Sequence, residues 1–181
     1  MSSAAEGIVL LALARLAIER ELGRPATAPD TADWLRAPGA SFVTLKQSEK
    51  LRGCIGTLQA HRALADDVQA NALAAAFRDP RFKPLTRDEL DTTKVEVSLL
   101  SALTPIIFDD EASALSQLKP GIDGLVFEYG YHKSTFLPQV WEDLQEPSEF
   151  VSTLKQKAGL PPDFWDRDVK LARYAVSKWS E

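Results

Sequence analysis

The sequence has one cysteine and two histidines among its 181 residues. A single cysteine excludes an internal disulfide and any CxxC redox or metal motif. It fits a reducing compartment better than a secreted, disulfide-held framework. His61 and His132 form no pair with metal-ligand spacing, so no metal site is expected. Neither a glycine-rich loop leading into a helix nor a P-loop is present, and no cofactor is expected. Positive charge is also in short supply: 21 Lys and Arg stand against 26 Asp and Glu, for a net charge of -5. That removes the electrostatic footprint of a nucleic-acid-binding protein and leaves one local basic cluster, Arg78, Arg81, Lys83 and Arg87.

Long apolar runs are missing as well. The longest near the start is residues 8–14, too short to span a bilayer. Glu6 precedes it, and Arg15, Glu19, Arg20 and Glu21 follow, flanks that do not suit a signal peptide. The segment reads as a buried helix that turns amphipathic and ends at Gly23, before Pro25. The expectation is a cytoplasmic protein with no membrane association.

What the chain does have is a 45% share of apolar residues, enough for a sizeable core. Residues 23–30 read as a loop, and residues 31–36 as a short helix stopped before Pro38. Two β-prone runs, residues 41–46 and 51–58, flank the polar residues 47–50 and suggest a hairpin. Residues 62–78 have helical spacing at Leu64, Val68, Ala72 and Ala75, and Asp79-Pro80 stops them. Thr86-Arg87-Asp88-Glu89 matches a capping box. Residues 93–103 form the clearest strand, with Val95, Val97 and Leu99 inward and Glu96 and Ser98 on the other face. A helix capped by Asp109 or Asp110, strands at 122–129 and 134–137, and a helix from Pro147 to Gly159 follow. A terminal strand covers 168–179. The mixture predicts an α+β fold, a largely antiparallel or mixed sheet with flanking helices, in one domain over residues 1–181.

Leu51-Arg52-Gly53-Cys54-Ile55-Gly56 is the most informative segment. Glycine inside a strand signals a bulge or the close approach of another backbone or ligand. Strict alternation puts Arg52, Cys54 and Gly56 on one face. An arginine beside a thiol can favour the thiolate or hold an anionic substrate. The same residues also suit a small packed cysteine with Arg52 in solvent. The residues alone leave both readings open.

The segment resembles the hallmark of the AMME chromosomal region protein family, whose prokaryotic members form the A component of the AmmeMemoRadiSam system. Further blocks agree in order: Ala14-Arg15, Phe42-Val43-Thr44-Leu45, Asn71 with Ala74-Ala75, Asp79-Pro80-Arg81-Phe82, Glu96-Val97-Ser98-Leu99-Leu100-Ser101, Gly124-Leu125, Thr135-Phe136-Leu137-Pro138-Gln139-Val140 and Lys157-Ala158-Gly159-Leu160. The resemblance implies a larger sheet-and-helix body with a small subdomain. It also implies a pathway shared with a radical S-adenosylmethionine protein and a Memo-type protein, as possible partners. Residues 141–147 depart from the family's loop spacing.

The candidate site is therefore Cys54 as the catalytic residue, with Arg52, Gly53, Gly56, Asn71, Asp79, Arg81 and Gln139 binding a small anionic substrate. The function expected is that of an enzyme or enzyme subunit. The alternative is a non-catalytic binding module that docks a partner protein or, less favoured by the acidic balance, nucleic acid. Asp79 and Arg81 also fit a simple helix stop, Asn71 a helix-to-loop bond, and Gln139 a strand end with its neighbours in the core.

Overall fold

The computed structural model describes residues 4–29 and 32–181. Asp30 and Thr31, where the sequence reading joined a loop to a short helix, lie outside the described residues. The chain forms two compact units: residues 1–100 with 177–181, and residues 101–176. Both are built from helices and four-stranded sheets, so the fold is α+β.

The first unit holds α1 (Ala4–Glu21), β1 (Ala40–Gln47), β2 (Lys50–Gly56), α2 (Leu64–Phe77) and β3 (Thr93–Leu100). It is completed by β8 (Val176–Ser180), in the strand order β2-β1-β3-β8. Gly23, at a φ of 66°, closes α1 as a left-handed C-terminal residue, and the Arg24 N–H reaches the Glu19 carbonyl at 2.8 Å. Ser48 and Glu49 both have positive φ, 48° and 62°. That is the pattern of a two-residue hairpin turn whose twist matches the strands, so the connection is shorter than the polar run 47–50 suggested. Val43, Leu45, Val95 and Val97 are buried with Leu10, Ile18, Val68 and Ala72 of the two helices. The inward face read for β3 is thus the helix face.

The second unit contains β4 (Thr104–Pro105), α3 (Glu111–Leu115), β5 (Gly124–Tyr129), β6 (His132–Phe136), α4 (Pro147–Lys157) and β7 (Lys170–Tyr174), with strand order β4-β7-β5-β6. Asp110 caps α3 with a reciprocal Ser113 hydrogen bond. Trp141 stacks on Phe150 at 3.7 Å between centroids and donates its indole N–H to the Asp123 carbonyl. Lys155 is buried beneath Glu111 and Trp165.

Two further sequence expectations change. The terminal strand read across 168–179 is two strands, β7 and β8, which divide at Ala175 and belong to different sheets. Apolar alternation runs straight through that point, so nothing local marked the break. Pro105 interrupts the earlier pattern as expected, but Thr104–Pro105 still pairs with β7 at a sheet edge, where a missing N–H is tolerated. No helix among the described residues is long and apolar enough to cross a membrane.

Candidate functional site

β2 is an outer strand of its sheet. Backbone groups turned outward from such a strand need partners of their own. At Cys54 the partners come from the turn after α2. The Asp79 carboxylate accepts the Cys54 N–H at 2.9 Å, and Arg81 Nη2 donates to the Cys54 carbonyl at 3.2 Å. Arg81 also grips Asp79 through Nε at 2.9 Å and Nη2 at 2.7 Å. Asp79 and Arg81 therefore form a clamp on one peptide segment of β2. The Arg81 guanidinium holds the Asp79 carboxyl well below the usual carboxylate range; burial opposes this, and the Cys54 and Arg81 backbone N–H groups reinforce it. Asp79 in turn raises the Arg81 pKa, foremost by hydrogen bonding, and the nearby Cys54 sulfur adds to that electrostatically.

The Cys54 side chain is half-buried. Thr44 Oγ1 donates to Sγ at 3.2 Å. Thr44 pairs with Cys54 on one side and Glu96 on the other, so the three share the face turned away from the helices. Glu96 is buried there between Lys46 and Lys178, at 2.7 and 2.9 Å. Burial pushes the Glu96 pKa up, but the hydrogen bonds from the two lysines outweigh it and leave the carboxyl below its ordinary value.

Arg52 does not share that face. Leu45 pairs with Gly53, but the next residue, Lys46, pairs with Leu51. Arg52 is the extra residue of a β-bulge, which breaks strict alternation. Its guanidinium contacts Glu89 through Nε and Nη2 at 3.2–3.3 Å and lies 6.0 Å from the Phe82 ring centre. Nη1 is buried with no hydrogen-bond partner among the described residues. The Thr86 backbone N–H, with the Arg52 contacts, lowers Glu89 to about 2. The capping box read at residues 86–89 is present in its Glu89 half, Thr86 N–H to Oε2 at 2.8 Å, and that same carboxylate engages Arg52. The cation beside Cys54 is Arg81, not Arg52.

The two glycines have different neighbours. A Cβ on Gly53 would stand 2.1 Å from the Ala75 carbonyl oxygen of α2. A Cβ on Gly56 would strike the Phe42 ring, also at 2.1 Å. The first permits a backbone approach, and the second makes room for a side chain.

Asn71 lies on α2 within a buried polar knot. Its amide donates to the Ser41 carbonyl at 2.9 Å and to Asp67 at 3.0 Å. Asp67, fully buried, also accepts the Ser41 N–H and hydroxyl, and Arg62 Nε at 2.9 Å. Asn71→Leu leaves these groups short of a donor, and a loss of about 2 kcal/mol is expected in urea unfolding. Gln139 belongs to the second unit, on the 3-10 turn Pro138–Glu142.

The structure thus gathers Cys54, Asp79 and Arg81, with Gly53 and Gly56 on the same strand. It gives Arg52 and Asn71 protein partners of their own. Thr44, Lys46, Glu89 and Lys178, none of them among the residues expected at the site, contact Cys54, Glu96 or Arg52. Alternation about Val43 and Leu45 would have put Thr44 and Lys46 on the outward face, as it did Glu96. Among the described residues, no three of His, Cys, Asp and Glu gather as metal ligands.

The AMMECR1 family model matches residues 11–179. A protein of Methanothermobacter thermautotrophicus is 37% identical, across 97% of this chain and 94% of its own length. Protein MJ0810 of Methanocaldococcus jannaschii is 34% identical, across 97% and 90%. The crystal structure of the uncharacterized protein PH0010 from Pyrococcus horikoshii superposes with a TM-score of 0.84 at 35% identity, covering 97% of this chain and 91% of that one.

Proposed function

The chain belongs to the AMMECR1 family, and from the geometry around β2 we propose that it is an enzyme or enzyme subunit that holds a small anionic substrate at Arg81, beside the Cys54 thiol. One observation carries this reading. Arg81 is tied to Asp79 and the Cys54 carbonyl through Nε and Nη2, while its Nη1 makes none of the hydrogen bonds described and its side chain is 54% exposed. Nε–H and both Nη2 hydrogens are taken by these contacts, and the Nη1 amino group keeps its two donors for a carboxylate or phosphate. The clamp also orders the strand segment that carries the thiol. In this reading the protein acts in the cytoplasm, in one pathway with radical S-adenosylmethionine and Memo-type proteins.

Paired alkylating agents test it. Iodoacetate and iodoacetamide deliver the same carbon to sulfur, with iodide leaving, but only the first is an anion. Arg81→Gln is expected to lower the iodoacetate-to-iodoacetamide rate ratio at Cys54 about fivefold, the equivalent of ~1 kcal/mol for one exposed charge-assisted contact. Arg81→Lys should recover part of it. An unchanged ratio removes the anion site. Failure of iodoacetamide to label folded protein removes the accessible thiol.

A second reading, a partner-docking module, is favoured by Ile107, Ile122 and Tyr131, large apolar side chains exposed on the second unit. Co-purification with a radical S-adenosylmethionine protein that is lost in Tyr131→Ser or Ile107→Ser would support it. Retention in both would count against it.

A further inference from the structure

The face that carries Cys54 has a second cationic feature that the Arg81 reading leaves unused. Alternation along β1 puts Thr44 and Lys46 on it, and Lys46 and Lys178 hold the two oxygens of Glu96. One carboxylate between two ammonium groups leaves one excess positive charge. An ammonium has three donors, and each lysine spends one on Glu96. Their side chains stay 27% and 46% exposed, while Glu96 is 9% exposed. The two lysines keep Glu96 ionised against its burial, and their partly exposed ammonium groups keep donors on this face.

Position adds to the case. Lys46 is two residues along from Thr44, which pairs with Cys54. The diagonal between such cross-strand positions is about 7–8 Å. Cys54 therefore stands between Arg81, at the outer edge of β2, and the two ammonium groups that converge on Glu96 of β3, Lys46 from β1 and Lys178 from the opposite edge strand β8. We infer that the substrate is a short organic dianion, such as a dicarboxylate or a phosphorylated carboxylate, with one anionic group at Arg81, the other at Lys46 and Lys178, and its reacting carbon over Cys54. This rests on the reading of Cys54 and Arg81 proposed above and adds the second anionic group.

The test uses a reagent with its anion at the far end. N-(bromoacetyl)-β-alanine and its methyl ester both alkylate Cys54 by displacement of bromide, and only the acid carries the remote carboxylate. The acid-to-ester rate ratio is expected to fall about threefold in Lys46→Gln and in Lys178→Gln, with the iodoacetate-to-iodoacetamide ratio unchanged in both. Glu96→Gln frees both lysines and should raise the acid-to-ester ratio. Thermal melts identify any variant that fails to fold, and the other two then decide. If the acid-to-ester ratio is the same in the wild type and every folded variant, the dianion is overturned while the Arg81 site stands. If iodoacetamide leaves Cys54 unlabelled in folded protein, both fall.

Discussion

Gly53→Ala is expected to destabilise the protein by about 3 kcal/mol or more, or to prevent it from folding. The added methyl would lie 2.1 Å from the Ala75 carbonyl oxygen. That oxygen is main chain of α2, so no rotamer change relieves the clash. The strand and helix must separate, and the alanines of α2 that pack against the sheet, Ala72, Ala75 and Ala76, then lose their close contacts. Gly56→Ala supplies the comparison. Its methyl meets the Phe42 ring, a side chain that can turn aside, so a smaller loss is expected. Urea unfolding of the two variants, side by side, measures the difference. Equal losses would mean that the approach of α2 to β2 is not what requires Gly53.

Asp79→Asn should cost about 2–4 kcal/mol near neutral pH. It removes a charge from a carboxylate only 3% exposed and weakens the acceptor for the Cys54 N–H. The loss should depend on pH with a definite sign. Arg81 holds the folded carboxyl below its ordinary value of 3.8, so its contribution is fully present above that value. It disappears as pH falls toward the folded pKa, where the carboxyl takes up its proton in both states. The stability gap between wild type and Asp79→Asn should therefore be constant from pH 5 to 7 and narrow below about 4. Glu89, lowered to about 2 by Thr86 and Arg52, adds a loss of wild-type stability in the same acid range. A gap that does not change with pH would mean that charge contributes nothing to the clamp.

Much of the fold was legible where one face of an element is buried and its period is clean. Val95 and Val97 marked β3, Leu64, Val68, Ala72 and Ala75 marked α2, and Asp79-Pro80 marked its end. Splitting of the terminal strand at Ala175 was not legible, because alternation says which residues share a face and not which sheet the face belongs to. Around Cys54, Gly53 and Gly56 drew attention to β2. A glycine within a strand signals a bulge or a close approach, and both occur: Arg52 is bulged and α2 meets Gly53. Which residue is bulged depends on register against β1, which no local pattern encodes. For the same reason the cation beside Cys54 was assigned to the neighbour in sequence, whereas the structure brings Arg81 from 27 residues away.

The clamp on Cys54 is tested most directly by hydrogen exchange at the Cys54 amide. On an outer strand, an outward N–H with no partner exchanges rapidly. If Asp79 accepts that N–H, the wild-type amide should be protected to nearly the level of the buried strand β1, and Asp79→Asn should lose most of that protection. Exchange of the wild-type Cys54 amide at the rate of an unstructured chain would contradict the clamp, and with it the placement of Arg81 beside the thiol.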